Sequence, residues 1–374
     1  MSAMPQETHL ASHIRRGRLR YKILGRTGLR VSEVALGSGT MGTAWGWGAE
    51  RAESRRLFEL FAEAGGNFID SAGGYQNGLA EEFVGEFIRA ERANFVVTTK
   101  YTGPPSTLAQ GNLIAATGNA RKSLIHSLEA TLKRLGSEYV DVLYVHFADQ
   151  LTPTEEIMRG MEEAVRAGKA LYVGFSDFPA WRVARAATLA ELRGGAPVSA
   201  IQVEYSLVER STERELLPMA EALGITVTLW AILGGGLLTG KYRTGAAEGR
   251  LTKGGGRILT ESTPRHTRIL DALEKVAAAT GLTPAQIAIA WVRASTARRR
   301  TSVIPILGAR TVAQLKDNLA AWSLELAPEH LRTLDEASAI EPGFPHELLA
   351  GPMVQQLAGA GRWDQIDQPP LPVA

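Results

Sequence analysis

The sequence predicts an α/β fold, specifically a TIM (β/α)8 barrel with an N-terminal β-hairpin and long loops at the C-terminal face. Short runs rich in Val, Ile and Leu recur along the 374 residues, and a helical pattern follows each run. These runs are continuously apolar, which indicates a sheet buried on both faces and therefore parallel strands wrapped by helices. Eight such units in about 300 residues match the size of this barrel.

The eight barrel strands are expected where the apolar runs stand in the sequence. They are residues 34–37, 67–70, 95–99, 142–146, 171–175, 200–203, 226–230 and 303–306. Two shorter runs, 21–24 and 29–31, flank Gly25 and Gly28 and predict a hairpin ahead of the barrel. Such a hairpin is in a position to plug the N-terminal face.

Helix signals lie between the strands. Leucines recur at helical spacing, and Gly136 follows them where a C-terminal cap is expected. Residues 152–155 and 283–286 both predict a capping box with proline at the first helical position. The leucines are Leu124, Leu128, Leu132 and Leu135.

The barrel is expected over residues 19–340, after a mobile arm (1–18) and before a C-terminal loop or tail (341–374). No apolar run approaches the roughly 18 residues of a membrane span. The arginines of the arm have no apolar segment beside them, so a signal peptide is not predicted. Residues 243–263 are rich in glycine and charge, which predicts a lid or a disordered loop.

Composition restricts the classes of function. Hydrophobic residues make up 45% and charged residues 21%, the balance of a soluble globular protein, and the net charge of +2 gives no reason to expect a nucleic-acid partner. The chain has no cysteine, which excludes disulfides and thiolate chemistry and fits a cytoplasmic protein. No set of histidines and carboxylates has metal-ligand spacing, so no metal is predicted. The sequence gives no indication of a membrane partner.

Four ionisable residues stand near the ends of three consecutive predicted strands. Asp70, Lys100 and His146 end the second, third and fourth strands, and Tyr75 follows Asp70 in the second loop. Active sites of TIM barrels form at the C-terminal ends of the strands, so these side chains can converge on one rim. Each alone has an ordinary structural explanation. Together they predict a site.

The chemistry of this group points to proton transfer. A tyrosine is a weak acid, with a pKa of about 10. Beside a lysine ammonium that an aspartate holds in position, it can give and take a proton near neutrality. The group therefore suits the reversible protonation of a carbonyl oxygen during hydride transfer.

A longer series of motifs, in fixed order and spacing over roughly residues 20–340, resembles the aldo-keto reductase family. The matching segments are NFIDSA (67–72) with Tyr75, TK (99–100), HFAD (146–149), GFSDF (174–178), QVEY (202–205), GLLTGKY (236–242) and GART (308–311). The resemblance extends to bacterial-type members related to potassium channel beta subunits. It implies an NADP(H)-dependent oxidoreductase that interconverts a carbonyl compound and its alcohol.

The resemblance implies a catalytic tetrad of Asp70, Tyr75, Lys100 and His146. Tyr75 would protonate the carbonyl oxygen, Lys100 paired with Asp70 would lower the pKa of Tyr75, and His146 would orient the substrate oxygen. Trp45, Trp47, Tyr101 and Phe147 are expected to line the substrate pocket.

The resemblance also implies a set of cofactor contacts. Ser176, Asp177 and Gln202 would hold the carboxamide of the nicotinamide, with Trp230 stacked on the ring. A guanidinium at Arg310 favours a 2′-phosphate, hence NADP(H) over NAD(H). The remaining contacts would be Gly39, Thr40, Met41, Leu233, Gly235, Leu237, Thr239, Lys241, Gly308, Gln314 and Asn318. The family usually has Asn where Asp177 stands, and an ionised aspartate cannot donate a hydrogen bond.

Other interpretations remain at this level. Residues 37–42 (GSGTMG) match a dinucleotide fingerprint, but no helical pattern opens on those glycines, which disfavours a Rossmann fold. A cofactor-binding redox sensor or regulatory subunit with little turnover is the main alternative, and a carbohydrate hydrolase lacks its second carboxylate. The sequence leaves the substrate, the direction of reaction and the oligomeric state open.

Overall fold

The structure is a computed structural model, and it describes residues 18–104, 113–243 and 260–369. Eight parallel strands close into a barrel in chain order, with the last strand beside the first. Strands β3 to β10 are Ala35–Gly37, Phe68–Asp70, Val96–Tyr101, Val140–Val145, Ala170–Ser176, Val198–Glu204, Thr226–Trp230 and Val303–Leu307. The predicted TIM barrel is confirmed, and every predicted strand lies within about two residues of the observed one.

Helices cover the outside of the barrel. They are Arg51–Glu63, Leu79–Ile88, Arg121–Leu135, Thr154–Arg166, Ala180–Arg193, Leu216–Leu223, Pro264–Thr280, Pro284–Ala297, Val312–Ala321 and Pro328–Ser338. Two short helices, His346–Ala350 and Pro352–Ala358, follow in the C-terminal segment. In the described parts of the chain, no helix is long and apolar enough to cross a membrane.

The apolar core has two layers because strand side chains alternate between the barrel interior and the helices. The outer layer, between strands and helices, is the larger. The inner layer fills the barrel with residues from several strands, among them Phe68, Val142 and Ile304.

The N-terminal hairpin closes the bottom of this inner layer. Its strands β1 (Tyr21–Ile23) and β2 (Arg30–Ser32) are antiparallel, and Leu24 is fully buried in the barrel interior. Gly25 has φ +54°, and a Cβ there would lie 2.4 Å from the carbonyl oxygen of Ser199. Only glycine combines this conformation with so close an approach. The predicted hairpin is confirmed, and its Leu24 packs with the inner layer as expected of a plug.

Predicted helix ends are right at two places and wrong at one. Gly136 adopts a left-handed conformation after Arg121–Leu135, and Thr283 forms the predicted capping box with Gln286. Thr152 does not cap its helix, which begins at Thr154 without a side-chain cap. The hydroxyl of Thr152 donates instead to the carboxylate of Asp149 at 2.6 Å.

Some predictions concern residues that the structure does not describe. Residues 1–17 of the N-terminal arm, residues 244–259 of the glycine-rich loop and residues 370–374 of the tail lie outside the described residues. The domain boundaries at residues 18 and 340 stay predictions.

Candidate active site

The structure brings the four predicted catalytic residues together on the C-terminal rim of the barrel. Asp70 ends β4, Lys100 is next to last in β5, and His146 directly follows β6. Strand register carries Asp70 opposite Thr98 and Lys100 opposite Tyr144. Tyr75 begins a short turn, Tyr75–Gly78, in the loop after β4.

The ammonium of Lys100 connects Asp70 and Tyr75 by hydrogen bonds. Its Nζ donates to Asp70 Oδ2 at 2.8 Å, to the carbonyl oxygen of Ser71 at 2.8 Å and to Tyr75 Oη at 3.1 Å. Lys100 and Asp70 are both almost fully buried, so their attraction is screened little by water. The ammonium therefore fixes the position of the phenol.

The electrostatics of Tyr75 differ in net direction from the sequence-based prediction. Burial raises the pKa of Tyr75 above its usual value, and this outweighs the lowering by the Lys100 charge, while Asp70 and Asp177 raise it further. Burial also acts to lower the pKa of Lys100, but Asp70 and Tyr75 together raise it above the usual value. Lys100 is thus charged and Tyr75 protonated at neutral pH.

His146 is held as a neutral imidazole beside the phenol. Burial, and then the charge of Lys100, lower the pKa of His146 to about 3. Its ring centroid lies 6.0 Å from that of Tyr75 at an interplanar angle of 74°. A neutral imidazole offers one N–H donor and one acceptor.

Asp70 accepts two further hydrogen bonds, one from Thr98 on the adjacent strand β5 and one from Gln202 on β8, which is not a neighbour of β4. Thr98 Oγ1 donates to its Oδ1 at 2.9 Å, and Gln202 Nε2 donates to the same oxygen at 2.8 Å. Gln202, predicted to contact the nicotinamide carboxamide, thus has its own amide nitrogen on the catalytic carboxylate.

Asp177 joins two other predicted cofactor contacts. Its carboxylate accepts a hydrogen bond from Trp230 Nε1 at 3.1 Å and one from Ser176 Oγ at 3.2 Å. The indole N–H can only donate, so this position needs an acceptor, and the carboxylate supplies it. Asp177 thereby fixes the indole of Trp230 at the end of β9.

The segment after β9 places glycine backbone at the barrel mouth. Gly234, Gly235 and Gly236 all have positive φ, at 56°, 65° and 103°. Thr239 Oγ1 donates to the carbonyl oxygen of Gly236 at 2.7 Å, and Lys241 Nζ lies 5.0 Å from the Tyr242 ring centroid. Of the other predicted contacts, Leu233 is half-buried and Leu237 is packed in the outer core.

The segment after β10 holds the predicted adenosine contacts. Gln314 Oε1 accepts from the backbone N–H of Arg310 at 2.9 Å, and Asn318 Nδ2 donates to the carbonyl oxygen of Gly308 at 3.2 Å. Thr311 caps the helix Val312–Ala321. The guanidinium of Arg310 has no ion-pair partner among the described residues, so it is available to an anion.

The first βα loop, residues 38–50, approaches the tetrad at Gly39. A Cβ at Gly39 would lie 3.6 Å from the Tyr75 ring. Thr40 Oγ1 donates to the carbonyl oxygen of Ala309 at 2.6 Å, which joins this loop to the one after β10. Met41, also predicted as a cofactor contact, is buried in the outer core.

Aromatic rings surround the phenol. Trp45 meets Tyr75 edge-on with centroids 6.3 Å apart, and Phe147 lies 5.4 Å from His146. Trp47 contacts Trp45 but is itself buried. Tyr101 is not part of this group: it points away from Lys100 because neighbouring strand residues alternate, and its hydroxyl donates to the carbonyl oxygen of Asn119.

Three residues that the sequence did not single out for a role hold this site in place. Gln76 bonds the first βα loop, Asn119 joins the loops after β5 and β6, and Glu81 pairs with Arg134 behind Thr99. Each is fully buried. Glu81 belongs to a segment that matches the family resemblance, but nothing in the sequence indicated these contacts, because partners distant along the chain cannot be read from spacing.

A cavity of about 230 Å³ lies elsewhere, lined by Arg210, Glu213, Trp291 and Asp335 among others. Arg210 pairs with Glu213 at 2.9 Å, and Trp291 Nε1 donates to Asp335 at 2.9 Å. Its central polar groups are therefore already engaged. Among the residues described, no cluster of three or more His, Asp or Glu side chains could hold a metal ion.

Comparisons with known proteins show which family the chain resembles. The model of the Aldo/keto reductase family matches residues 33–339. A norsolorinic acid reductase of Aspergillus flavus is 35% identical over 333 residues, covering 86% of this chain and 81% of the relative. An aryl-alcohol dehydrogenase [NADP(+)] of Phanerodontia chrysosporium is 35% identical over 339 residues, covering 86% of each chain.

Proposed function

This chain belongs to the aldo/keto reductase family, and from that premise we propose that it interconverts an aromatic aldehyde or ketone and its alcohol with NADP(H). The observation that carries the proposal is the hydrogen bond between Lys100 Nζ and Tyr75 Oη at 3.1 Å, made by an ammonium that Asp70 holds in place. A phenol in this setting is a proton donor aimed at the barrel mouth. When bound, the nicotinamide supplies the hydride in reduction and takes it up in oxidation.

Tyr75 gives its proton to the carbonyl oxygen in the reducing direction. Its raised pKa, which burial causes, keeps the phenol protonated at neutral pH, and reduction requires that form. In the oxidising direction the same oxygen must first lose its proton. Oxidation is therefore expected to need higher pH than reduction.

Lys100 and Asp70 act on the proton through Tyr75. As negative charge develops on the phenol oxygen, the ammonium at 3.1 Å stabilises it, and Asp70 prevents the ammonium from moving away. Neither side chain has to change its protonation state.

His146 is proposed to hold the substrate oxygen. With a pKa lowered by burial to about 3, the imidazole is neutral and can donate one hydrogen bond to a carbonyl oxygen without competing for the proton. The backbone N–H of His146 donates to the carbonyl oxygen of Tyr101 at 2.9 Å, which fixes the base of the side chain. Orientation by this donor keeps the carbonyl oxygen within reach of Tyr75.

The residues present fit a nicotinamide dinucleotide with a 2′-phosphate. The guanidinium of Arg310 lacks an ion-pair partner in the described part of the chain, and a planar guanidinium matches a phosphate. The glycines at 234–236 let backbone approach a pyrophosphate. Ser176, Gln202 and Trp230 would hold the nicotinamide end. We therefore propose a preference for NADP(H) over NAD(H).

An aromatic substrate is proposed from the surroundings of the phenol. Trp45 and Phe147 present apolar rings on either side of Tyr75 and His146, and Phe147 is 45% exposed. Flat rings stack well against such walls. The name of one relative, an aryl-alcohol dehydrogenase, supports the same class. A cytoplasmic location stays a prediction.

The test is to follow NADPH consumption with 4-nitrobenzaldehyde in the native protein and in Tyr75→Phe. We expect multiple turnovers in the native protein and a loss in kcat of about 10²–10⁴ in the variant, the range for removing a general acid. NADPH affinity, measured by the quenching of tryptophan fluorescence, is expected to stay unchanged.

Two outcomes would contradict this proposal. Full activity in Tyr75→Phe would remove the phenol from the mechanism. A single slow oxidation of bound NADPH, without turnover of any aldehyde or alcohol tried, would favour the redox-sensing alternative.

A further inference from the structure

Gln76 lies directly after the proposed proton donor and is completely buried. Its φ of +50° is a backbone conformation that side-chain-bearing residues rarely adopt. Glycine would adopt it with less strain, so the backbone gives no reason for glutamine at this position. The reason must lie in what the side chain contacts.

The carboxamide of Gln76 is bonded to three points of the first βα loop. Its Nε2 donates to the carbonyl oxygens of Gly39 and Trp47, both at 3.2 Å. Its Oε1 accepts from the backbone N–H of Trp45 at 3.0 Å. A neutral amide is the side chain that can serve two acceptors and one donor at once.

These hydrogen bonds fix the position of the Trp45 backbone. The Gln76 backbone continues directly from Tyr75, so its side chain fixes the loop relative to the phenol. The Trp45 ring then meets Tyr75 edge-on at 6.3 Å and Trp47 at 5.7 Å. Trp45 itself is only half-buried, so its contacts alone do not fix it.

We propose that Gln76 is a positioning residue that latches Trp45 against Tyr75 and thereby gives the site its preference for flat aromatic substrates. This inference rests on the proposed function and names the element that selects its substrate class. Gln76 does not touch the reacting atoms. It acts by setting the distance between the Trp45 wall and the proton donor.

The neighbouring Asn77 supplies a matched control. It has nearly the same backbone conformation, with φ +55°, but its side chain is exposed and is not part of the latch. Gln76→Gly and Asn77→Gly therefore make the same change to the backbone. A third variant, Gln76→Met, keeps the side-chain volume and removes the hydrogen bonds.

The experiment compares these variants on 4-nitrobenzaldehyde and on propanal, a small aldehyde that does not reach a flat wall. We expect Gln76→Gly and Gln76→Met to raise KM for 4-nitrobenzaldehyde about tenfold, the effect of losing hydrogen bonds that hold the wall. KM for propanal and kcat for both substrates are expected to change less than about twofold. Asn77→Gly is expected to match the native protein on both substrates.

A second readout needs no substrate. Acrylamide quenching of the Trp45 emission, isolated by comparing each protein with its Trp45→Phe counterpart, is expected to increase in both Gln76 variants and to stay unchanged in Asn77→Gly. If the native protein reduced no aldehyde, the proposed function would fail while this measurement would still decide on the latch.

The inference would be overturned by either of two results. Equal losses on both aldehydes would assign Gln76 to the chemistry or to general stability instead of to the wall. Unchanged acrylamide quenching in Gln76→Met would show that the carboxamide does not hold Trp45.

Discussion

Asp177 stands where the resemblance leads one to expect asparagine, and its side chain has two local partners. Its left-handed backbone, with φ +51°, turns the carboxylate toward Trp230 and Ser176, and both donate to it. An asparagine could accept from Trp230 with its one oxygen and donate to the hydroxyl of Ser176 with its NH₂ group. What only the aspartate adds is a negative charge that acts on Tyr75.

The charge of Asp177 leads to a prediction about pH. After burial, which raises the pKa of Tyr75 most, Asp177 raises it further, so Asp177→Asn is expected to lower the pKa of Tyr75. Reduction uses the protonated phenol, so its rate falls as pH rises through that pKa. The falling limb of the kcat/KM profile for aldehyde reduction should therefore move to lower pH in the variant. A limb that stays in place or moves to higher pH would contradict the assignment.

Arg310 leads to a prediction about cofactor choice. Replacing it by methionine removes the guanidinium that the proposal places at the 2′-phosphate. We expect NADPH affinity to fall about ten- to a hundredfold in Arg310→Met, the effect of losing a charged hydrogen bond. NADH affinity, measured by the same fluorescence titration, is the internal control and should change little. An equal loss of affinity for both cofactors would mean that Arg310 does not bind the 2′-phosphate.

At the scale of elements, the two predicted capping boxes show what a local pattern can decide. At Thr283 the hydroxyl accepts from the backbone N–H of Gln286, and the Gln286 side chain accepts from the backbone N–H of Thr283. At Thr152 the same pattern fails, because Asp149 takes the hydroxyl and also accepts from the backbone N–H groups of Leu151 and Thr152. A competing carboxylate three residues earlier was enough to change the outcome.

The cap at Thr283 makes a stability prediction for the helix Pro284–Ala297. Thr283→Ala removes one partner of the capping box and should lower the free energy of unfolding by about 1 kcal/mol. Thr188→Ala, within the helix Ala180–Arg193 and exposed, is the matched control and should change it by less than about 0.5 kcal/mol. Urea denaturation followed by circular dichroism would measure both, and equal effects would argue against a capping contribution.

At the scale of the whole molecule, stability and chemistry occupy opposite ends of one barrel. The hairpin closes the N-terminal end through Leu24, and Lys22 Nζ donates to the carbonyl oxygen of Val303 at 2.7 Å. The tetrad lies at the C-terminal ends of β4, β5 and β6. Changes in the plug should therefore act on folding without acting on the site.

Leu24→Ala tests this separation. Leu24 is fully buried, so its truncation should cost about 2–5 kcal/mol of unfolding free energy through lost burial and a cavity. NADPH affinity at temperatures where the variant is folded should remain that of the native protein. Ile23→Ala, next to it and 43% exposed, is the control and should cost far less. A large loss of affinity in Leu24→Ala would show that the two ends are coupled.

The sequence by itself determined the barrel, its strands and the four catalytic candidates. Buried parallel strands appear in the sequence as continuous apolar runs. Because the C-terminal ends of successive barrel strands lie on one rim, Asp70, Lys100 and His146 could be grouped from their order in the chain alone. Asp177 could be singled out only through the family resemblance, because that resemblance implies asparagine at this place in the GFSDF motif.

Only the tertiary structure decided which hydrogen bonds hold these side chains and which residues lie next to them. The balance that raises the pKa of Tyr75 depends on burial, a property of the whole fold. Three hydrogen bonds of the site join residues 18 to 132 positions apart in sequence. They run from the Trp45 backbone to Gln76, from Gln202 to Asp70 and from Tyr101 to Asn119. Local pattern carries no information about such partners, because closing the barrel is what brings them within hydrogen-bond distance.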